Sequence, residues 1–294
     1  MGLLIAGCTT NKPNLVLLFT GDVMLDRGVR IQINKYGVDH LFRNVKDEFH
    51  AANSTIVNLE CPTTNDSNPQ GKKYEFRAEP KWLEGLRKAG VSYASLANNH
   101  TIDQGSNGLE STAENLKRNN IIPLGWGKTP ATSCEPALID SNGVSVALFA
   151  ADYISLENWK PNDSSACPCI QNPDVLAIKI KSFKINNKNR FVIVFIHWGT
   201  EYQTTPNEFQ VQTAHLFINA GADIIIGSHP HMVQKSEVYK DKQIFYSLGN
   251  FIFDQNRPGT SQGEMVKVEL SSDGKIKTTG INIQINNCVP KIIE

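Results

Sequence analysis

The chain alternates short apolar runs with amphipathic segments, a pattern that is typical of an α/β protein. Continuous apolar runs predict buried strands, whereas apolar residues spaced three or four positions apart predict helices that pack on one face. The predicted strands cover residues 15–20, 54–58, 91–96, 121–122, 144–150, 191–196, 222–226, 243–247 and 264–270. The predicted helices cover residues 80–89, 109–118 and 207–220.

Glycine, proline and turn residues mark the boundaries of several of these elements. Pro80 stands at the first position of a predicted helix, and Gly90 follows its end. The Ser-Ser-Asp-Gly turn at residues 271–274 predicts a hairpin between the last strand and the run at 275–283. A stretch rich in Pro, Ser and Cys, residues 158–172, interrupts the pattern without ending it. We interpret it as a surface insertion in one α/β domain that covers residues 14–294.

The overall composition narrows the classes of function. The chain has 29 Lys and Arg against 29 Asp and Glu, and 40% of its residues are hydrophobic. This composition predicts an ordinary globular protein, and it lacks the basic excess expected of a nucleic-acid-binding protein. No run of eighteen apolar residues occurs, so no transmembrane helix is predicted.

The first thirteen residues resemble the end of a bacterial lipoprotein signal. Small residues precede Cys8, and a polar linker follows it. Such a cysteine is lipidated, so we expect a membrane-anchored lipoprotein of the cell envelope that faces outside the cytoplasm. The basic and apolar regions that such a signal needs are missing from residues 1–4. The alternative is therefore an incidental cysteine near the N-terminus.

The cysteine spacing argues against a zinc ribbon and leaves the disulfide pairing open. The chain has six cysteines, and none of them forms a C-x-x-C pair. Cys167 and Cys169 are separated by one residue, which is too close for an unstrained bond between them. Each could pair with Cys134 or with Cys288.

Polar residues follow five of the apolar strands directly. In α/β sheets, ligands bind beyond the carboxyl ends of the strands, so we expect these residues to converge on one site. Carboxylate, amide and imidazole groups without thiolate suit Mn, Fe or catalytic Zn. In an extended segment, His229 and His231 would point the same way, and Gly227 and Ser228 would let the backbone turn beneath a metal. The junctions are Thr20-Gly21-Asp22, Asn58-Leu59-Glu60, Asn98-Asn99-His100, Ile196-His197-Trp198-Gly199 and Gly227-Ser228-His229-Pro230-His231.

These motifs, together with Ser247-Leu248-Gly249-Asn250-Phe251, resemble in order those of the CapA family of bacterial capsule-synthesis proteins. That family belongs to the calcineurin-like metallophosphoesterase superfamily. The resemblance implies a four-layer α/β/β/α sandwich with a centre for two divalent ions, Mn, Fe or Zn. It implies that one ion is bound by Asp22, Glu60 and His231. It implies that the other ion is bound by Glu60, Asn99, His197 and His229.

Two departures from the superfamily pattern fall in the first of these metal sites. Met24 stands where the superfamily usually has a histidine, and Glu60 stands where it has an aspartate. CapA-like proteins share this altered pattern. We therefore expect the first ion to bind more weakly than the second.

The same resemblance assigns catalytic roles. His100 matches the histidine that meets the substrate and acts as general acid, and Asp103 could orient it through a hydrogen bond. Arg27 and Arg77 are candidate clamps for an anion, because a planar guanidinium suits phosphate or carboxylate. The alternative for both arginines is a surface salt bridge.

The sequence leaves three functions to be weighed. The first is a metal-dependent, phosphoesterase-like hydrolase that acts on a phosphoester or anionic polymer in capsule (poly-γ-glutamate) biosynthesis, beside other capsule synthesis proteins. The second is a non-catalytic component of capsule assembly or polymer export with a degenerate metal site. The third, an intracellular nuclease, is disfavoured by the neutral charge and by the segment around Cys8.

Overall fold

Two β-sheets pack face to face in the computed structural model of the protein, which describes residues 15–162 and 164–293. The strands are β1 Leu15–Val23, β2 Ser54–Leu59, β3 Val91–Ser95, β4 Ile122–Leu124, β5 Trp126–Gly127, β6 Ala137–Ser141, β7 Val144–Asp152, β8 Cys167–Pro168, β9 Phe191–His197, β10 Ile224–Ser228, β11 Glu237–Tyr239, β12 Lys242–Phe245, β13 Asn250–Ile252, β14 Gln262–Leu270, β15 Ile276–Asn286 and β16 Val289–Ile292. The α-helices are α1 Arg27–Tyr36, α2 Lys46–Ala51, α3 Leu83–Ala89, α4 Gly105–Arg118, α5 Pro173–Asn186 and α6 Glu208–Ala220. Two 3₁₀ helices cover Val38–Phe42 and Pro80–Trp82.

Both sheets have parallel strands at their centres. The first sheet has the order β16-β15-β14-β1-β2-β3-β4, and β13 also pairs with β1. Its strands β1 to β4 run parallel to one another. The second sheet has the order β11-β12-β10-β9-β7-β6, in which β7, β9, β10 and β12 are parallel. The carboxyl ends of several strands therefore meet at one edge of each sheet.

Three apolar layers separate four layers of secondary structure. Phe19 of β1 meets Phe195 of β9 between the two sheets, with ring centroids 5.8 Å apart. Helices α1 to α4 pack on the outer face of the first sheet through apolar residues such as Leu109 of α4. Leu176 of α5 and Phe217 of α6 pack on the outer face of the second sheet. The order is α/β/β/α, which confirms the expected fold.

The predicted strands and the hairpin are confirmed, but strands at the functional edge run further than predicted. β1 continues to Val23, β7 to Asp152 and β9 to His197. The reason is that each extension contains a buried polar residue, Asp22, Asp152 or His197, which interrupts the apolar pattern before the strand ends. The predicted helix 80–89 begins as the 3₁₀ helix Pro80–Trp82 and continues as α3.

One disulfide settles the open pairing. Cys134 bonds to Cys169, whereas Cys61, Cys167 and Cys288 are free and buried. The bond ties the end of the predicted insertion to the segment before β6. Cys169 also connects the two sheets, because its backbone N–H donates to Gly125 (2.8 Å) and its carbonyl accepts from Asp152 (2.8 Å).

The lipoprotein-like segment, residues 1–13 with Cys8, lies outside the described residues. Its lipidation and the domain boundary at residue 14 therefore stay predictions. Across residues 15–162 and 164–293, no helix combines the length and the apolarity that crossing a membrane requires.

Candidate metal centre

The predicted ligands meet where the carboxyl ends of the two sheets face each other. Asp22 lies near the end of β1, and Glu60 directly follows β2. His197 is the last residue of β9, and His229 directly follows β10. All six predicted ligands are buried: Asp22, Glu60, Asn99, His197, His229 and His231.

Three of the predicted ligand side chains bring their possible ligand atoms close together. His197 Nε2 lies 2.9 Å from Asn99 Oδ1 and 3.2 Å from His229 Nδ1. Ligand atoms that each lie about 2.1 Å from a metal ion stand about 3 Å apart when the bond angles are near 90°. The spacing therefore fits the second of the two predicted ion sites.

The other predicted site is built around Asp22 and Glu60. His231 Nδ1 lies 3.3 Å from Asp22 Oδ2, and His231 Nε2 lies 3.8 Å from Glu60 Oε1. Ligand atoms of Asp22, Glu60 and His197 all lie within 4.8 Å of one another. Glu60 is thus close to ligands of both predicted sites, as a bridging carboxylate must be.

Glu60 itself shows that the pocket suits a cation. Both of its carboxylate oxygens are buried, and neither has a hydrogen-bond partner among the described residues. Burial, and then the nearby Asp22, raise the pKa of Glu60 well above its usual value. An unpaired buried carboxylate is costly unless it is protonated or binds a cation. The residues therefore fit the divalent ions that the sequence predicts.

The two central histidines are held in the form that binds metal. Burial, followed by the neighbouring histidines, lowers the pKa of His197 and His229 well below the usual value. Neutral imidazole is the ligand form of histidine. The ring of His197 is fixed from its far side, because its Nδ1 lies 3.0 Å from Ser228 Oγ.

A layer of asparagines supports the ligands. Asn58 Nδ2 donates to Asp22 Oδ1 (2.8 Å), and Asn98 Nδ2 donates to Asn58 Oδ1 (3.1 Å). Asn250, which the sequence assigns only to a tight loop, also hydrogen-bonds His231 Nδ1 through Oδ1 (2.9 Å). In the sequence, only the position of these asparagines within the motifs pointed to such contacts.

The backbone around the two histidines differs from the sequence expectation. His229 has a φ of 98° and His231 has a φ of 56°, so the segment is not extended. The rings nevertheless lie near each other, with centroids 5.9 Å apart. The sharp change of direction falls at His229, whereas Gly227 is part of β10. A side chain at Gly227 would meet the carbonyl oxygen of Tyr246 at 2.0 Å, so close packing explains this glycine.

His100 and Asp103 form a pair beside the metal ligands. His100 Nδ1 lies 2.8 Å from Asp103 Oδ2, and the ring of Phe76 packs 4.2 Å from the His100 ring. Burial lowers the pKa of His100, although Asp103 partly offsets this effect. The pair has the contact that the orienting role of Asp103 requires, and the role itself stays a prediction.

The two arginines lie in different environments. Arg27 forms an ion pair with Asp254, and its guanidinium lies 4.9 Å from the Phe76 ring centroid. Arg27 therefore forms the salt bridge that the sequence analysis gave as the alternative. It also lies next to the ring of Phe76, which packs against His100. Arg77 is half-buried, and its guanidinium makes no hydrogen bond or ion pair within the described ranges. Of the two arginines, Arg77 is the one without such an ion pair in the described part of the chain, and its role as an anion clamp stays a prediction.

The site contains two further residues, Asp152 and Met24. No role was predicted for Asp152, and Met24 was singled out only through the resemblance. Asp152 ends β7 beside His197 in the strand register, and its Oδ2 has no hydrogen-bond partner in the part of the chain that the structure describes. Burial raises the pKa of Asp152 to about 8. Met24 is buried, and its sulfur accepts from the backbone N–H of Asp26 (2.9 Å). No strand-end motif distinguishes Asp152 in the sequence.

Comparisons with known proteins agree with this geometry. The sequence model of the family described as bacterial capsule synthesis protein PGA_cap matches residues 16–255. The capsule biosynthesis protein CapA of Bacillus anthracis is 32% identical over 95% of this chain and 70% of that protein. The PGA biosynthesis protein CapA of Bacillus subtilis (strain 168) is 30% identical over 92% of this chain and 72% of that protein.

A solved structure supports the fold. The calcineurin-like phosphoesterase YfkN of Bacillus subtilis superposes with a TM-score of 0.50 and covers 96% of this chain and 89% of its own. The sequence identity is 12%, so the likeness concerns the fold alone.

Proposed function

The chain belongs to the bacterial capsule synthesis protein family PGA_cap, and we propose that it is a metal-dependent hydrolase of the cell envelope. Its relatives carry the names capsule biosynthesis protein and PGA biosynthesis protein, so we propose poly-γ-glutamate capsule biosynthesis as its setting. The fold is that of calcineurin-like phosphoesterases. The reaction proposed is hydrolysis of a phosphoester or a related anionic bond.

We assign the ligand groups to two ions as the resemblance implies. Asn99, His197 and His229 would hold one ion with Glu60, and Asp22 and His231 would hold the other with the same Glu60. Divalent ions in this place would supply positive charge that polarises a phosphoryl or acyl oxygen. The unpaired carboxylate of Glu60 supports this proposal more directly than any other observation.

His100 would handle the proton of the leaving group. Asp103 occupies the Nδ1 side of its ring, so Nε2 is the nitrogen left for the substrate. In hydrolysis the oxygen of water bonds to phosphorus while the bond from phosphorus to the leaving oxygen breaks. The neutral ring keeps its hydrogen on Nδ1 toward Asp103, so Nε2 would first take up a proton from solvent. Nε2 would then give this proton to the leaving oxygen, and a proton from the attacking water would pass to solvent. Arg77 would bind a charged oxygen of the substrate.

An assay with simple esters tests the proposal. The purified protein would be incubated with Mn²⁺ and with phosphomonoester and phosphodiester substrates, beside the variant His100→Ala. Turnover that depends on metal and falls about 10²-fold or more in the variant is the expected result. Metal-independent turnover, or equal rates for both proteins, would contradict it.

One observation favours a second candidate, a non-catalytic part in capsule assembly or polymer export. The sulfur of Met24 bonds to its own loop, at the position where the superfamily usually has a histidine ligand. Metal in such a weakened centre would hold loops or bind the carboxylates of a polymer. This candidate predicts that His100→Ala leaves capsule production unchanged in cells that carry it.

The location at the membrane rests on the sequence around Cys8. We propose that Cys8 is lipidated, which would leave the folded domain on the outer side of the membrane beside other capsule synthesis proteins. Radiolabelled palmitate should label the protein in cells but not its Cys8→Ser variant. Equal labelling of both proteins would show that Cys8 does not carry the lipid.

A further inference from the structure

Lys72 lies in the loop that follows β2, and its side chain is completely buried. Its neighbour Lys73 is exposed, with Nζ lying 5.1 Å from the ring of Tyr74. Removing an ammonium group from water is costly unless it finds a charged or strongly polar partner. The burial of Lys72 therefore indicates a specific role that Lys73 does not share.

The ammonium group of Lys72 connects two parts of the site. It donates to Asp103 Oδ1 (2.6 Å) and to the backbone carbonyl oxygen of Asn99 (2.5 Å). The other oxygen of Asp103, Oδ2, is occupied by His100 Nδ1 (2.8 Å) and by the backbone N–H of Phe76 (2.8 Å). Asp103 thus has partners on both oxygens and cannot rotate without breaking contacts with all of them.

We infer that Lys72 is a positioning residue for His100. It holds Asp103 in one orientation, and Asp103 in turn holds the His100 ring with Nε2 free on the side left open to the substrate. The same ammonium fixes the backbone of Asn99, whose side chain faces His197. The inference rests on the proposed hydrolase function only for the step in which His100 gives up a proton.

The loop that carries Lys72 has other attachments. The backbone N–H of Asn68 donates to Gln104 Oε1 (2.8 Å), and Gln104 Nε2 donates to the carbonyl oxygen of Phe76 (3.2 Å). These bonds hold both ends of the loop against the turn that contains Asp103. Loss of the Lys72 ammonium should therefore release Asp103 while the loop keeps its path.

A leaving-group series separates positioning from a general structural effect. The variant Lys72→Met would be compared with Lys73→Met on phosphodiesters that release either nitrophenolate or a simple alcohol. Lys72→Met should lose about 10²-fold in kcat with the alcohol, which needs a proton, and little with nitrophenolate, which does not. Lys73→Met should behave as the unchanged protein, and Lys72→Arg should recover part of the loss.

A second measurement does not depend on activity. Nitrogen-15 spectra of the histidine rings in the metal-free protein report which ring nitrogen of His100 carries the proton. The unchanged protein and Lys73→Met should show a single form with hydrogen on Nδ1. Lys72→Met should show averaging between the two forms, because Asp103 would then be held only through the backbone N–H of Phe76.

The two measurements fail in different ways. If the unchanged protein hydrolyses no ester, the proposed function fails, and the spectra alone decide the role of Lys72. If Lys72→Met keeps the original leaving-group dependence and a single Nδ1–H form, the inference is overturned. Should Lys72→Met not fold, Lys72→Gln keeps a neutral donor in its place, and the same two readouts decide.

Discussion

Single residues at the site combine features that would be costly elsewhere in the protein. Glu60 is buried without a hydrogen-bond partner within residues 15–162 and 164–293, and His229 has a left-handed backbone. Unpaired buried charge and positive φ in a residue other than glycine cluster at functional sites. The motifs in the sequence locate both residues, but neither the missing partner nor the backbone angle can be inferred from residue type.

Replacing Glu60 with glutamine should separate metal binding from folding. The glutamine side chain would be neutral and nearly the same size, so the metal-free variant should melt close to the unchanged protein. A ligand at 100 times its Kd stabilises a protein by about 2.7 kcal/mol, and Glu60→Gln should lose most of such a gain with Mn²⁺. Thermal unfolding with and without Mn²⁺ measures the difference.

The control for this experiment is Glu269→Gln, which alters a carboxylate on β14 that pairs with Lys277 at the surface. It should keep the full Mn²⁺ effect. An equal Mn²⁺ effect in Glu60→Gln would show that Glu60 is not a ligand.

Arg77 should contribute to binding of an anion. A hydrogen bond between charged groups contributes about 1.5–3 kcal/mol, so Arg77→Ala should weaken binding of inorganic phosphate at least about tenfold. Inhibition by phosphate or calorimetry gives the change. Arg118→Ala, which removes an exposed arginine paired with Glu114, should leave phosphate binding unaltered. Equal affinities for the Arg77 and Arg118 variants would contradict the clamp.

At the scale of elements, the sequence predicts best where one face of an element is apolar and the other polar. β14 and β15 form the expected hairpin, and α4 and α6 lie where their periodicity predicts helices. Helix α5 has no such periodicity, because Leu176 and Ile180 are buried while Val175 and Ile178 are exposed. Its apolar residues occur on several faces, so no amphipathic pattern identifies it.

An ion cluster attaches α5 to the second sheet. Asp223 accepts hydrogen bonds from Lys184 of α5 (2.8 Å), from Lys242 of β12 (2.7 Å) and from the backbone N–H of Val192 (2.9 Å). Burial alone would raise the pKa of Asp223, but these three donors outweigh it and hold that pKa below its usual value. A lowered pKa means that the stabilisation is complete above about pH 4 and is lost as the pH falls through the folded-state pKa.

The variant Asp223→Asn should therefore lower the free energy of unfolding by about 2 kcal/mol at pH 7. The difference from the unchanged protein should shrink as the pH falls below about 4 and disappear only below the folded-state pKa, where Asp223 is protonated in both states. Urea unfolding at pH 7 and pH 3 measures both values. Asp273→Asn is the matched control, since Asp273 forms an exposed pair with Lys275. A difference that is the same at both pH values would contradict the assignment.

The disulfide ties the segment before β6 to the end of the predicted insertion and should stabilise the fold there. Cys134 and Cys169 are 35 residues apart, and closing a loop of this length stabilises a protein by about 3–4 kcal/mol in the chain-entropy view. Cys134→Ser should lower the melting temperature of the oxidised protein, whereas Cys167→Ser should not. A loss with Cys167→Ser as large as that with Cys134→Ser would instead assign the bond to Cys167, the alternative that the spacing in the sequence allowed.

For the whole molecule, the apolar pattern predicts an α/β protein, and the resemblance that the ordered motifs carry implies the four-layer fold. The four-layer sandwich brings segments as distant in sequence as Asp22 and His229 into contact, and the backbone N–H of His229 lies 3.3 Å from Asp22 Oδ2. The resemblance to CapA-like proteins supplies the ligand assignment, and the structure adds Asn58, Asn250 and Lys72 behind it. The role of Lys72 could not be predicted from the sequence, because the neighbouring Lys73 has the same side chain and is exposed to solvent.

The two proposed functions share the central claim that the facing strand ends hold divalent metal. Elemental analysis of Mn, Fe and Zn in the purified protein, after dialysis and again after Mn²⁺ is added, tests this claim most directly. His229→Ala removes a ligand, and His215→Ala is the matched control because His215 lies on α6 beside Glu237. We expect about one tightly held equivalent and a second that needs added Mn²⁺, both retained in His215→Ala and reduced in His229→Ala. No metal above the level of His229→Ala under either condition would contradict it.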